Sequence, residues 1–190
     1  KPVRNSMSLV ITLAVVCIIS GASLAYFHQM TEAILVQRQL EQMRDGLIAV
    51  VPGGISFTES TSDALPAGTG GQALPEGMRV FPVFDEGKAL MGYAVLHSTK
   101  GFEGPIRLMV GIDPNSRVIT GLTVLEQSET PGLGARIADA GFRNQFIGKS
   151  LDDPFVSGND IDGITGATVS TDAVIKIVRE AIASVDTEAN

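Results

Sequence analysis

The chain has 190 residues, of which 44% are apolar, and its formal net charge is -7 at pH 7. This size suffices for one ordinary domain plus an additional segment. The negative charge, the absence of Trp and the presence of two Tyr argue against nucleic acid as a partner, because such partners need basic surfaces and stacking platforms. A single cysteine, Cys17, excludes an internal disulfide framework and a cysteine-clustered metal site, and His28 and His97 form no ligand pattern. We therefore expect this chain to bind no metal.

The N-terminal run from Met7 to Phe27 contains no charged residue and follows Lys1 and Arg4. As a helix, this run would reach about 31 Å, the thickness of the hydrocarbon core of a bilayer. The alternative is a secretory signal cleaved near Ser23-Leu24-Ala25, but signal cores typically have only about 7–15 apolar residues. We predict a cytoplasmic tip and transmembrane anchor at residues 1–28. The preceding positive charge places the N-terminus in the cytoplasm and the domain on the periplasmic or extracellular side of the cell inner membrane.

Residues 29–52 continue the helical pattern as an amphipathic stalk, which packs either on the domain or on a partner. Its apolar face comprises Val36, Leu40, Met43 and Leu47. Pro52-Gly53-Gly54 predicts the end of this helix. Residues 56–77 are rich in Ser, Thr, Gly and Pro, so we expect an irregular surface segment there.

Residues 53–190 form the predicted extracytoplasmic domain, with an α+β fold of a mainly antiparallel sheet and flanking helices. The predicted strands are Arg79–Phe84, Ala89–Ser98, Pro105–Ile112 and Arg117–Leu125. Because no helix intervenes between them, an antiparallel meander is favoured. Short helices are expected at Ala135–Asp139 and around Phe142–Phe146. A long helix then presents an apolar face formed by Ala173, Val174, Ile177, Val178, Ala181, Ile182 and Val185.

The segment from Asp162 to Thr171 directly precedes that long helix and contains two glycines and four hydroxyl residues. Gly163 and Gly166 allow positive φ and close backbone approach, which suits a loop that another group must reach. Ser170 or Thr171 would cap the helix, and a helix N-terminus beside exposed hydroxyls suits a phosphate. From the residues alone, an ordinary glycine turn with a capping residue is the alternative.

The stretch Asp162-Gly163-Ile164-Thr165-Gly166-Ala167-Thr168 resembles the flavinylation signature of the FMN-binding domain family at all seven positions. The resemblance implies that a flavin transferase joins FMN to Thr168 through a phosphoester, so that the chain becomes a covalent flavoprotein and a phosphoprotein. The residues implied to hold FMN beside Thr168 are Asp162, Gly163, Thr165, Gly166, Ala167, Val169, Ser170 and Thr171. Asp162 either fixes the loop through a bond to backbone, which we favour in the folded protein, or helps to bind the transferase's divalent metal.

A second stretch, Glu129-Thr130-Pro131-Gly132-Leu133-Gly134, is similar to a loop of the G subunits of Rnf electron-transport complexes. Pro131-Gly132 predicts a turn, and Gly134 permits close approach of a neighbour. The carboxylate of Glu129 belongs either to the site or simply to the solvated surface. The resemblance implies contact with the isoalloxazine ring, with Thr130 and Leu133 as the best candidates.

The loop containing Gly101, Phe102 and Gly104 is a further candidate, because a glycine–aromatic–glycine segment lies near the flavin in the FMN-binding family. The alternative is a loop with a buried aromatic anchor. The sequence shows no nucleophile–base pair, so we expect no catalytic residue and no substrate site of its own in this chain.

The resemblance covers essentially the whole chain and implies an electron-transfer subunit of an Rnf-type translocase. Such complexes couple electron flow between ferredoxin and NAD to ion transport. The implied partners are the other membrane subunits, the membrane itself and a flavin transferase during maturation. Two alternatives stay open: a C subunit of sodium-translocating NADH:quinone reductase, which shares the domain but tends to be longer, and an anchored binding module without a redox role.

Overall fold

The predicted anchor and stalk belong to one continuous helix, α1, which spans Pro2–Val50. The computed structural model describes residues 2–54, 56–57 and 77–186, and within α1 it describes the side chains of residues 10–26, 41 and 43–50. The predicted stop is confirmed, because α1 ends at Val50 and Gly53 then adopts a φ of 91°. Among the residues that the structure describes, no helix combines the length and the apolar character needed to cross a bilayer.

The chain divides into two compact units, Lys1–Gln42 and Met43–Asn190. In the first unit the described side chains, at residues 10–26 and at Glu41, are exposed. The second unit holds the sheet, the remaining helices and the end of α1. The proposed division at residues 28 and 52 stays a prediction.

The sheet of the second unit is an antiparallel meander, as predicted. Its strands pair in chain order and are β1 (Ser56–Phe57), β2 (Arg79–Phe84), β3 (Leu90–Lys100), β4 (Pro105–Asp113) and β5 (Val118–Glu126). The four long strands match the predicted ones apart from small shifts at their ends. The irregular segment predicted from residue 56 is wrong at its start, because Ser56 and Phe57 pair with Phe84 and Val83. Residues 58–76 lie outside the described residues.

Side chains alternate across β4, and each face of the sheet therefore buries a separate core. Ile106, Leu108 and Val110 pack in the cluster that includes α3 (Thr168–Asp186), whereas Met109 packs in a cluster with Leu47 at the end of α1. This second unit is consequently layered: the end of α1, the sheet, and then α3. The predicted apolar face of α3 is confirmed, since all seven of its residues are buried.

The end of α1 lies directly on the sheet at a pair of glycines. Gly111 and Gly121 face each other across β4 and β5, and a Cβ atom at either position would overlap the backbone of Val50. The hydroxyl of Thr120 donates a hydrogen bond of 2.5 Å to the Val50 carbonyl oxygen. The predicted stalk therefore packs on the domain at this end.

Short helical turns connect β5 to α3, but their bounds differ from the predicted ones. A 3-10 helix spans Gly134–Ala138, and α2 spans Ala140–Arg143. The predicted helix at Phe142–Phe146 is wrong in extent. The helix ends at Arg143, and Phe142 and Phe146 are both buried in the core, with ring centroids 5.5 Å apart.

A tight turn at residues 155–160 leads the chain back towards α3. Phe155 is buried with a φ of 45°, a conformation that is uncommon for a residue with a side chain. The Asp160 carboxylate supports this turn by accepting hydrogen bonds from the Phe155 and Val156 N–H groups, and it lies 3.4 Å from the Lys149 ammonium. Partial burial alone would raise the pKa of Asp160, but these N–H groups and Lys149 outweigh it and hold the pKa below its usual 3.8.

Candidate functional site

A surface cavity of about 410 Å³ brings together the three segments selected from the sequence. It is lined by Phe102, Glu129, Thr130, Leu133, Gly134, Gly166, Ala167, Thr168, Val169 and Ser170. The other predicted site residues belong to the same segments but do not line the cavity: Gly101, Gly104, Pro131, Gly132, Asp162, Gly163, Thr165 and Thr171. The volume falls within the range of about 300–1,000 Å³ that is usual for small-molecule sites.

Thr168 is the first residue of α3 and is exposed at the cavity. Gly166, with a φ of 79°, makes the turn before it, and Ala167 adds little bulk. The first turn of α3 carries no acidic residue, so its free N–H groups and its dipole favour an anion. The hydroxyl of Thr168 thus stands where a phosphate would be stabilised.

The predicted capping roles of Ser170 and Thr171 are wrong. α3 begins before them, at Thr168, and both side chains are buried in its first turn. The Thr171 hydroxyl oxygen accepts a hydrogen bond of 3.1 Å from the Ile164 N–H, which folds the glycine loop back onto the helix. The Ile164 carbonyl accepts one from the Ala167 N–H at 2.9 Å.

Glu129 forms the polar floor of the cavity. Glu129 is only 4% exposed, so the alternative interpretation, in which its carboxylate belongs to the solvated surface, is wrong. One carboxylate oxygen accepts a hydrogen bond from the Ser170 hydroxyl, and the other accepts one of 3.1 Å from the Glu103 N–H. Glu129 therefore joins the loop before β4 to the first turn of α3.

The loop before β4 presents its aromatic residue to the surface. The Gly101 N–H donates a hydrogen bond of 2.7 Å to the Gly104 carbonyl, which makes the loop tight. Phe102 at its tip is 67% exposed, so the alternative of a buried aromatic anchor is wrong. Glu103 accepts a hydrogen bond of 2.7 Å from the Thr130 hydroxyl and connects this loop to the segment after β5.

Asp162 is held through its backbone and not through its carboxylate. Its N–H donates to the Gln145 side chain at 2.7 Å, and its carbonyl accepts from the same side chain at 3.2 Å. Among the described residues, the Asp162 carboxylate has no hydrogen bond or ion pair, so the predicted bond from this carboxylate to backbone is wrong. The loop obtains that support from Gln145 instead.

Gln145 and Glu103 are the supporting residues that the sequence analysis missed. Each acts on a residue far along the chain, 17 positions away for Gln145 and 27 for Glu103. No sequence pattern pairs them with their targets. Glu103 could have been included among the candidate residues, because it directly follows Phe102 in the candidate loop.

The residues around the cavity fit FMN. Phe102, Leu133 and Val169 expose apolar surface at the cavity, which suits the isoalloxazine ring, and the α3 N-terminus suits the phosphate. Of the described residues that line the cavity, Glu129 alone carries a formal charge. The exposed apolar surface thus matches the ring system and the α3 N-terminus matches the anionic end, whereas the charge of Glu129 is negative.

Comparisons with known proteins give the family of this chain. Residues 101–183 match the family described as FMN-binding domain. The chain is 30% identical over 184 residues to the G subunit of the ion-translocating oxidoreductase complex of Methanosarcina acetivorans, with 94% of each chain covered. It is 28% identical over 192 residues to the G subunit of the proton-translocating ferredoxin:NAD(+) oxidoreductase complex of Clostridium ljungdahlii, with 98% of this chain and 95% of that relative covered.

Among solved structures, the chain is similar to the C subunit of the Na(+)-translocating NADH-quinone reductase from Parabacteroides distasonis. The identity is 25%, the match covers 60% of this chain and 63% of that chain, and the TM-score is 0.48.

Proposed function

The chain belongs to the family of G subunits of ion-translocating oxidoreductase complexes and carries an FMN-binding domain at residues 101–183, and we propose that it is an electron-transfer subunit holding FMN in the cavity beside Thr168. The observation that best supports this function is the convergence of three separate segments on that cavity. By the names of its relatives, its complex would couple electron flow between ferredoxin and NAD to ion translocation.

The FMN would be attached covalently, through a phosphoester to the Thr168 hydroxyl. Support comes from the exposure of Thr168, its small neighbours and its place at the positive end of α3. The hydroxyl oxygen would displace the leaving group of an activated flavin phosphate presented by a transferase. Among the described residues no side chain hydrogen-bonds this hydroxyl, so the base that takes its proton is expected to belong to the transferase.

Each segment at the cavity has a distinct task in this proposal. Bound FMN supplies the redox chemistry, and the protein supplies binding, orientation and electrostatics. Phe102, Leu133 and Val169 would contact the ring and exclude water from it, because their exposed apolar surfaces lie at the cavity. The first turn of α3 would orient the phosphate, and Glu129 fixes that turn through Ser170.

We also propose that the run from Met7 to Phe27 anchors the chain in the cell inner membrane, with its N-terminus in the cytoplasm and the FMN domain on the other side. Large apolar side chains, from Val10 to Leu24, are exposed in this run. The partners would be the other membrane subunits of the complex and, during maturation, the flavin transferase.

Mass spectrometry of the denatured protein tests the attachment. The full chain produced together with its transferase should carry the added mass of one FMN, and Thr168→Ala should carry none. Thr165→Ala is the matched control, because Thr165 is exposed in the same loop but does not line the cavity, and it should still be modified. A colourless wild-type protein of unmodified mass would instead indicate a binding module without a redox role.

Protease accessibility tests the topology. A protease added to intact cells, after any outer barrier is opened, should digest the domain beyond about residue 26 and spare the N-terminus. Digestion only after lysis would show that the orientation is reversed.

A further inference from the structure

Among the residues that the structure describes, the buried carboxylate of Glu129 accepts hydrogen bonds from two donors and forms no ion pair with a cation. Both of its oxygens accept hydrogen bonds, from the Ser170 hydroxyl and the Glu103 N–H, which is the arrangement that satisfies an ionised carboxylate. Among the described residues no Lys, Arg or His forms a salt bridge with Glu129 or lines the cavity. The nearby N-terminus of α3 helps to explain how the charge is tolerated there, because that end of the helix is partially positive.

A charge in this position acts more strongly than one at the surface. Water screens an exposed carboxylate, whereas a carboxylate buried in the cavity floor interacts through a medium of lower effective dielectric constant. Glu103 provides the comparison within the same site, because its carboxylate is exposed while its backbone contacts Glu129. Glu129 and Glu103 are thus the same residue type, but the Glu129 side chain is buried and the Glu103 side chain is exposed.

We propose that Glu129 lowers the reduction potential of the flavin held in this cavity. This inference rests on the proposed function. Electrons added to a flavin bound in this cavity would place further negative charge near this carboxylate, which forms no ion pair among the described residues, so reduction would become less favourable. The reduced flavin would thereby be a stronger reductant in this cavity than in the same cavity with a neutral side chain at position 129.

The test is an equilibrium redox titration of the full chain, loaded with FMN and followed by visible absorbance. Glu129→Gln keeps the size of the side chain and an acceptor oxygen but removes the charge, so the potential should shift upward. Glu103→Gln is the matched control and should give a clearly smaller shift, because its charge is exposed. Glu129→Asp keeps the charge but alters the packing, and its potential should stay closer to wild type than that of Glu129→Gln.

Thermal unfolding and the denatured mass of each variant accompany the titration. An unchanged potential in loaded, folded Glu129→Gln would overturn the inference, and so would equal shifts in Glu129→Asp and Glu129→Gln, because packing would then be the cause. If Glu129→Gln does not fold, Glu129→Asp carries the test, because it keeps the charge: a potential far from that of wild type would overturn the inference. A wild-type chain that carries no flavin would refute the proposed function itself. Failure of the inference alone is a separate result, because it is read from variants that do carry flavin.

Discussion

Ser170, in the first turn of α3, donates a hydrogen bond to the buried carboxylate of Glu129, which lies 41 residues earlier in the chain. Glu129 in turn accepts from the backbone of Glu103, in the loop before β4. One carboxylate thus fixes three segments that converge from different parts of the sequence. The cavity beside Thr168 exists only while these segments keep their relative positions.

Ser170→Ala should lower the free energy of unfolding by about 1–3 kcal/mol, because it leaves a buried carboxylate oxygen without its donor. The measurement is urea unfolding of the chain without flavin. Ser184→Ala is the matched control: Ser184 lies in the same helix, but its hydroxyl donates to the Ala181 carbonyl of the preceding turn. That change should be close to neutral, because alanine favours the helix. Equal losses in both variants would contradict the role assigned to the Ser170–Glu129 contact.

Gly134→Ala should destabilise the protein by about 1–3 kcal/mol, because the segment is already closely packed. A Cβ at this position would lie 2.6 Å from the Ser170 hydroxyl oxygen and 2.7 Å from a carboxylate oxygen of Glu129. Gly141→Ala is the control, since a Cβ there has no atom within 4 Å, and it should be neutral or stabilising. Thermal unfolding compares the two.

Larger substitution at the same glycine should separate attachment from ring contact. In Gly134→Val the added side chain would push against Ser170 and Glu129 at the cavity. In the protein that still folds and carries the flavin at Thr168, the ring should be held less firmly, so flavin fluorescence should rise and reduction by the complex should slow. Unchanged fluorescence and rate in a folded, loaded variant would remove this segment from the ring contacts.

Gln145→Ala should cost about 1 kcal/mol and slow the flavin attachment, because it removes both hydrogen bonds that hold the backbone of Asp162. Asn144→Ala, at the exposed neighbouring position, should do neither. Asp162→Ala should leave stability within about 0.5 kcal/mol of wild type, as is usual for surface changes. If attachment nevertheless falls in Asp162→Ala, the carboxylate serves the transferase; unchanged attachment would dismiss that role.

Asp160→Asn should reduce stability by about 1–2 kcal/mol at neutral pH, because the ionised carboxylate holds the turn at Phe155. The folded pKa lies below the usual 3.8, so the contribution of Asp160 is complete above the unfolded pKa and is lost as the pH falls through the folded value. Wild type should therefore lose more stability than the variant between about pH 5 and about pH 2. Urea unfolding across this range measures the difference, and parallel pH curves would exclude the linkage.

Local patterns predicted the strands, the meander and the apolar face of α3, because alternation and helical periodicity act over a few residues. The three segments that line the cavity were selected by their resemblance to the FMN-binding family, because local patterns alone left an ordinary glycine turn with a capping residue as the alternative. Local patterns could not predict the pairing of Glu129 with Ser170 or of Gln145 with Asp162, since the sheet and α3 determine these contacts. The capping prediction failed because α3 begins before Ser170 and Thr171, and their hydroxyls bond instead to the distant Glu129 carboxylate and to the Ile164 N–H of the preceding loop.

The contact of Val50 with Gly111 and Gly121 determines where this protein can be truncated. Leu47, Val50 and Val51 are buried, and together they cover the face of the sheet opposite α3. A fragment that begins at Pro52 would leave that face to water and remove the acceptor of the Thr120 hydroxyl. A fragment that begins at Met43 keeps the whole second unit, and is therefore the shorter chain expected to fold without the preceding residues.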